Sequence, residues 1–358
     1  MSLTPMPASE AIAQLDMFDA VIDARSEDEF AEDRLPGAIN WPTLNNAERI
    51  QIGTLYKQVN PFEARKRGAA IAARNIAAHI ERDVIDKPKD WKPLTYCWRG
   101  GQRSGSLSLI LSQIGFRVTI VEGGYKAFRA AILQDTVQRV EQLKFQVVCG
   151  ATGNGKTRLL HAMRNCGAQV LDLEDLANHR SSVLGAVPGL KQPSQKGFDT
   201  LIWNQLRAFD PARPVFVESE SKKVGNLSVP MALIEALRAS TCLNLVLPDH
   251  QRVALLMEDY YHLVKDVDYF CCRLEALTAL KGRSVVQAWQ AQARAGDFAP
   301  VVLDLLHSHY DPAYLQSMVR NFKQFDSAVA LYPRDRSPEA MTLIAQQVVS
   351  ATWPEEQT

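Results

Sequence analysis

The sequence predicts an α/β chain in two parts. A parallel sheet with flanking helices comes first, and a phosphate-loop α/β domain with a helical C-terminal region follows. Three observations predict this. Short apolar runs alternate with amphipathic helical runs, as in parallel sheets covered by helices. The alternation pauses at the polar helical stretch 126–143 and restarts at Phe145. In each half, one apolar run ends in a glycine-bearing loop, CWRGGQRS at 97–104 and GATGNGKT at 150–157. The expected domains are 1–135 and 136–358.

In the first part, AVIDA (20–24) reads as a buried strand. Ser26 with Glu29 three residues on is a capping-box pattern that starts a helix. LPGAIN (35–40) is a turn into an extended piece, and 64–83 is an alanine-rich amphipathic helix. PLTYC (93–97) is a strand ending on the cysteine, 104–115 a helix closed by Gly115, and 116–124 the next strand. In the second part, 145–150, 168–174, 214–219 and 242–248 read as strands, and 157–167, 196–209 and 229–240 as helices. The strand 242–248 is the last one legible. From Asp249 to about Pro333 the pattern is helical.

The chain has 358 residues, enough for two cores at roughly 150 residues per domain. Hydrophobic residues are 46% and charged residues 22%, an ordinary soluble composition. The formal net charge is zero, so contact with nucleic acid must come from local basic patches rather than a basic chain. No apolar run reaches the ~20 residues a membrane helix needs, and the N-terminus lacks the pattern of a signal peptide. None of the six cysteines (97, 149, 166, 242, 271, 272) forms a C-x-x-C pair, which argues against zinc and for reduced thiols in a cytoplasmic protein.

Gly150-x4-Gly155-Lys156-Thr157, between a strand and a helix, fits the phosphate-loop pattern. Gly150, Gly153, Asn154, Gly155, Lys156 and Thr157 are the expected phosphate-binding residues. The loop amides and the helix N-terminus attract a di- or triphosphate, Lys156 reaches its outer phosphate, and Thr157 is the expected Mg²⁺ ligand. Asp172, Glu174 and Asp175 end one strand, and Glu218 and Glu220 another. They are candidates for acid chemistry or for holding the metal through water. A glutamate at 218 departs from the aspartate usual at that place in ATPases. For the Asp172 group a helix cap beside a solvated loop is an equal alternative.

In the other loop, Cys97 is the candidate nucleophile. Arg99, Arg103, the freed glycine amides and the following helix N-terminus would all favour its thiolate. The same cradle suits a tetrahedral oxyanion. The plain alternative is a buried cysteine beside two surface arginines. C-x5-R is also the spacing of cysteine-dependent phosphatases, although Tyr96 stands where they carry histidine.

Asp23-Ala24-Arg25-Ser26 with Glu29-Phe30, Pro36-Gly37-Ala38-Ile39-Asn40, the Cys97 loop and Glu122-Gly123-Gly124-Tyr125-Lys126-Ala127 follow the order seen in rhodanese domains, which the first part resembles. With the phosphate loop added, nearly the whole chain resembles the tRNA 2-selenouridine synthase family. The likeness extends to Asn45-Asn46-x-Glu48-Arg49, Gly53-Thr54-x-Tyr56-Lys57, Leu171-Asp172-Leu173-Glu174, His179-Arg180, Gln192-Pro193-Ser194-Gln195, Glu218 through Gly225 and Tyr310-Asp311-Pro312-x-Tyr314. The chain departs from the pattern at Arg180-Ser181-Ser182, where a glycine is expected after the arginine.

This resemblance implies action on wobble 2-thiouridine of tRNA. The sulfur is geranylated from geranyl diphosphate and then replaced by selenium from selenophosphate. It further implies that the Cys97 cradle meets selenophosphate, Cys97 carrying selenium or attacking the donor. The phosphate loop then meets the prenyl diphosphate, with Mg²⁺ as helper and no tightly bound cofactor. A selenophosphate-supplying enzyme is an expected partner and a membrane is not.

Arg65-Lys66-Arg67, Lys222-Lys223 and His179-Arg180 are the basic patches available to tRNA. Trp98, Tyr125 and Tyr310 are aromatics that could stack on a splayed base, Trp98 foremost. Each patch also reads as a solvated face, and Tyr125 as core. His307 and His309 lack further ligands nearby in sequence and do not read as a metal site. Two other classes fit parts of the pattern: an ATP-dependent kinase or phosphatase fusion, and a non-catalytic persulfide carrier for another tRNA-modifying enzyme.

Overall fold

The computed structural model describes residues 2–180 and 189–352. The departure at Ser181-Ser182 lies outside them. The chain forms two compact units, Met1–Gln138 with Pro193–Arg207, and Arg139–Gln192 with Ala208–Thr358.

The first unit carries β1 (Ser2–Met6), β2 (Ala20–Asp23), β3 (Ala38–Asn40), β4 (Pro93–Tyr96) and β5 (Arg117–Val121). They form one parallel sheet in the order β1-β5-β4-β2-β3. β4 is buried at every position and sits at the centre, so the loop after it opens at the carboxyl edge of the sheet. That edge is where open α/β sheets place their ligands. The capping box of Ser26 and Glu29 is present, and Asn45 with Glu48 forms a second one at the Asn46–Gln58 helix. The Asn45 and Glu48 motif residues therefore start a helix.

Two features of this unit were not legible beforehand. β1 is a short edge strand containing Pro5, defined by its pairing with β5. The Gln195–Leu206 helix, expected in the second domain, belongs to the first unit. Its Trp203 is fully buried in the core with Leu35, Phe128 and Ile132 and donates from Nε1 to Asp135 at 2.7 Å. Arg129 donates to Asp199 (2.8 Å) and to the Lys196 carbonyl (3.0 Å). Burial of an aromatic face decides which core a helix joins. Sequence order does not.

The second unit carries β6 (Phe145–Cys149), β7 (Gln169–Leu171), β8 (Val215–Glu218), the hairpin β9 (Lys223–Val224) and β10 (Leu227–Ser228), β11 (Thr241–Leu245) and β12 (Val329–Leu331). Its parallel sheet has the order β12-β11-β6-β8-β7. β6 is central, and the loop after it lies at the point where the strand order reverses. β12 was not expected, because residues after 248 read as helical. Three residues paired to β11 make a strand too short to show a period. The helices between Asp249 and Asn321 gather around a second apolar core containing Phe270, Leu274, Trp289, Phe298 and Val301. Among the described residues no helix is long and apolar enough to cross a membrane.

Candidate functional sites: a cysteine loop and a phosphate loop

Cys97 follows β4 and is 1% exposed. Gly100 and Gly101 both have positive φ, which turns the chain back so that the Gln102–Ile114 helix starts beside the cysteine. Ser104, on the first turn of that helix, donates from Oγ to the Cys97 sulfur at 3.3 Å. The far side of the loop is held by the start of the Gly124–Gln142 helix. The Tyr125 amide donates to the Cys97 carbonyl (2.7 Å), and the Lys126 amide to the Trp98 carbonyl (3.2 Å). A Cβ on Gly124 would stand 2.3 Å from the Cys97 carbonyl oxygen, so only glycine allows this approach.

The two arginines divide. Arg99 is exposed, with no acidic partner among the described residues. Arg103 instead donates to Glu29 at 2.7 and 3.3 Å, so its charge is already balanced and the cradle is less cationic than the sequence suggested. Burial works to raise the Glu29 carboxyl, but Arg103, the Ser26 amide and Arg49 outweigh it and hold it below the usual range. Beneath the loop, fully buried Arg25 binds Asp23 through Nε and Nη2 and lies 3.9 Å from the centre of the Tyr125 ring. Tyr125 is core, as its alternative reading had it, and donates to buried Asp33 at 2.7 Å. Trp98 is 39% exposed, stacks on Tyr125 at 5.4 Å, and has the Lys196 ammonium 5.8 Å from its ring. It is the exposed aromatic next to Cys97.

The phosphate loop opens into a cavity of about 580 Å³. Gly153, Gly155, Lys156 and Thr157 line it. Gly150 and Asn154 hold its shape instead. The Gly150 amide donates to the Tyr314 hydroxyl at 2.7 Å. Asn154 accepts from the Leu247 amide (2.6 Å) and donates to the Ala151 carbonyl (3.0 Å). Lys156 rests on the Gly150 carbonyl at 2.9 Å. Buried Arg252 clamps the loop from behind, donating to the Thr152 carbonyl at 3.0 and 2.8 Å and to Asp311 at 3.0 and 2.5 Å. These contacts account for Asp311 and Tyr314 of the Tyr310–Tyr314 motif.

Opposite the loop, Glu174, Glu218 and Glu220 bring carboxylate oxygens within 4.8 Å of one another. Glu218 is 1% exposed, and its Oε1 has no hydrogen-bond partner among the described residues. Burial first, then the charges of Glu174 and Glu220, push its carboxyl well above the usual range, against the pull of Lys156. The orphaned oxygen and the all-oxygen donor set fit a hard divalent cation beside a phosphate site. Asp172 is a buried helix cap rather than part of a solvated loop, accepting from the Asp175 amide at 2.9 Å. Its other oxygen accepts from His161 Nε2 at 3.0 Å. His161 also lines the cavity and was not singled out from sequence. It lies four residues after Thr157, which puts both on one helix face.

Arg180 and His179 line this cavity rather than an open patch. Arg180 sits 5.0 Å from the Tyr260 ring centre and donates to the Asp259 carbonyl at 2.8 Å. Arg65, Lys66 and Arg67 are exposed on the Pro61–Asp83 helix, Lys66 paired with Glu63, and Lys222 and Lys223 are exposed at the β9–β10 hairpin. His307 bonds Asp249 at 2.7 Å while His309 packs on the half-buried Tyr310, so the two histidines do not converge.

Fold and loops together define a two-domain protein, a rhodanese-type domain and a P-loop domain on one chain. Residues 7–131 match the rhodanese-like domain family, and residues 143–271 match the AAA domain of tRNA 2-selenouridine synthase. The chain belongs to the tRNA 2-selenouridine synthase family. It is 34% identical to the tRNA 2-selenouridine synthase of Nitrosomonas europaea over 244 residues, and 36% identical to that of a Sulfurovum species over 245. Each match covers 67% of this chain but 63% and 65% of the relative, a little under two thirds of the relatives' own length. A solved rhodanese-related protein from Thermoplasma volcanium is 18% identical with a TM-score of 0.23, covering 35% of this chain and 89% of its own.

Proposed function

We propose that the chain is a tRNA-modifying transferase that converts wobble 2-thiouridine to 2-selenouridine in two steps. The observation that carries this reading is the presence, in one chain of this family, of a shielded cysteine loop and a P-loop faced by a cluster of three glutamates, Glu174, Glu218 and Glu220, the last two buried. Glu218 stands where ATPases usually carry aspartate, and the cluster can hold the cation that a departing diphosphate needs.

In the first step the thiocarbonyl sulfur attacks C1 of geranyl diphosphate. The C1–O bond breaks, diphosphate departs and the N3 proton is lost to water. Lys156, the amides at Gly153 and Gly155, and Arg180 hold the diphosphate and offset its growing charge. Thr157, Glu174, Glu218 and Glu220 are the residues that would hold Mg²⁺, which would add Lewis-acid stabilisation of the leaving group. Alkylation turns a poor leaving group into a thiolate. In the second step the selenium of selenophosphate adds at C2 and the geranyl thiolate leaves; water then attacks phosphorus, the P–Se bond breaks, and phosphate and 2-selenouridine are released. The Cys97 loop handles the selenium donor, Arg99 and the helix N-terminus at Gln102 attracting the selenophosphate anion.

The partners of this reading are tRNA bearing wobble 2-thiouridine and an enzyme that makes selenophosphate, in the cytoplasm. Trp98 offers a stacking face to the base, and the exposed Arg65, Arg67, Lys222 and Lys223 offer charge to the phosphates. The test is mass spectrometry of nucleosides from a 2-thiouridine tRNA, given geranyl diphosphate first and selenophosphate second. A geranyl adduct followed by 2-selenouridine is the expected result. Folded protein that yields neither mass overturns the reading.

A further inference from the structure

The Gly53-Thr54-x-Tyr56-Lys57 motif lies in a helical hairpin of the first unit that the two-step chemistry does not yet use. The Asn46–Gln58 and Pro61–Asp83 helices meet at a turn of Val59 and Asn60 and run back along each other. Midway along the hairpin Ile52 faces Gly68, where a Cβ would stand 3.4 Å from Ile52 Cγ2. At the base, Glu48 accepts from Arg74 (3.0 Å) and Asn75 (2.7 Å). At the tip, Asn60 caps the second helix by accepting from the Phe62 and Glu63 amides at 2.7 and 3.3 Å. These contacts hold the hairpin together and leave its outer faces bare. The first helix has no buried residue, and near the tip Tyr56 is 48%, Val59 72% and Phe62 64% exposed. Exposed apolar surface gathered at one place marks an interaction site.

Charge decides what kind of partner fits. From Asn45 to Arg74 the hairpin carries six cations against two acids, a net +4 in a chain whose formal net charge is zero. Arg49 lies 3.7 Å from Glu29, and Lys66 and Arg74 pair with Glu63 and Glu48. Lys57, Arg65 and Arg67 are exposed and have no acidic partner among the described residues. Arg49, Gly53, Tyr56 and Lys57 recur at helical spacing on the first helix, and Phe62, Arg65 and Lys66 on the second, all of them exposed. Each helix therefore sets one accessible ring among cations. Rings stack on unpaired bases and cations meet phosphates, which is how single strands are held. A protein partner would meet an apolar centre with charge kept to its rim. We infer that the tip of this hairpin is a docking head for single-stranded RNA. In it Tyr56 and Phe62 stack on unpaired nucleotides of the tRNA, and Lys57, Arg65 and Arg67 hold the backbone that carries them. The inference rests on the proposed tRNA reaction and deepens it. The head holds no nucleophile and does not line the phosphate cavity, so it grips nucleotides other than the one that reacts. Binding of that kind is the same in ground and transition states, and it sets KM for both steps alike.

The experiment titrates the full chain into fluorescently labelled 2-thiouridine tRNA at several salt concentrations and follows anisotropy. One variant joins Tyr56→Ala to Phe62→Ala and removes the rings. The other joins Lys57→Glu to Arg65→Glu and reverses the charge. All four side chains are exposed, so circular dichroism and the urea midpoint should match wild type. The ring variant should bind tRNA about tenfold more weakly, or worse, with its salt slope unchanged. The same loss should appear with a short unstructured RNA and be absent with a blunt RNA duplex. The charge variant should lower the slope of log affinity against log salt by about 1.4, at about 0.7 for each single-stranded phosphate contact. In both variants KM for tRNA should rise in geranylation and in selenation, with kcat kept.

Wild-type tRNA affinity in both variants overturns the docking head, and leaves the two-step function standing if modified nucleosides still form. A duplex weakened as much as the single strand by the ring variant overturns it too, since the rings then do not stack on unpaired bases. So does a wild-type dimer in sedimentation that the ring variant dissolves while tRNA affinity holds; the face is then a contact between copies. Weakened tRNA binding in both variants, in a protein that never modifies tRNA, supports the head and overturns the function.

Discussion

Gly124→Ala tests how the cysteine loop is held. The new Cβ would meet the Cys97 carbonyl oxygen at 2.3 Å and the carbonyl carbons of Cys97 and Trp98 at 3.2 Å. These are backbone atoms, so no side-chain rotation relieves the contact. The residue also sits at φ +60, where a side chain costs about 1–2 kcal/mol. Moving the helix start away sacrifices the 2.7 Å bond from the Tyr125 amide to Cys97, another ~1 kcal/mol. Forced repacking adds about 1–3 kcal/mol. A loss of about 3 kcal/mol or more is expected. Gly37→Ala is the matched control, since it has φ +70 and nothing within 4 Å of its Cβ, so it carries the conformational cost alone. Urea unfolding should show the first unit losing about 2 kcal/mol or more beyond the loss in Gly37→Ala when Gly124 becomes alanine. Selenation should fall with Gly124→Ala while geranylation persists. Equal losses in the two variants would refute the argument that this glycine exists for the cysteine loop.

Three further outcomes are expected. Cys97→Ala should abolish selenation and keep geranylation, while Lys156→Ala should lose geranylation; nucleoside mass spectrometry of both reads the division of labour directly, and loss of selenation alone in Lys156→Ala would contradict it. Glu218 binds its proton more tightly folded than unfolded, so metal-free wild type should lose stability as pH rises above the ordinary glutamate range of about 4.3, towards the raised pKa of the folded state; Glu218→Gln should flatten that slope in thermal melts from pH 5 to 8, and parallel slopes would refute the assignment. Trp203→Ala empties a fully buried aromatic site at a cost of about 3–5 kcal/mol, and the loss should appear in the unfolding of the first unit and not the second; limited proteolysis across a urea series distinguishes the two.

Much of the molecule was legible in its residues. The capping box at Ser26, the strand ending on Cys97 and the strand–loop–helix at Gly150 are local patterns. Hydrogen-bond geometry, apolar period and glycine placement act over a few residues, so a single sequence carries them. The same holds for the P-loop lysine and threonine, whose chemistry is fixed by their spacing. Local pattern could not assign the Gln195–Leu206 helix to the first unit, because burial of Trp203 is a contact with residues about seventy positions away. Nor could it reveal β1 and β12, short edge strands defined by their pairing.

The two loops differ in what only folding decided. At the cysteine loop, sequence supplied two arginines, and the tertiary structure spent one of them on Glu29. At the phosphate loop, sequence supplied six phosphate-binding candidates, and the structure turned Gly150 and Asn154 into supports through Tyr314 and Leu247. It also brought His161 and Glu220 to that cavity, and Arg252 behind the loop, from three separate segments. The residues determined which chemistry each loop could perform. Long-range burial and charge pairing decided which side chains remain free to perform it, because a donor or cation already satisfied inside the fold is no longer available to a ligand.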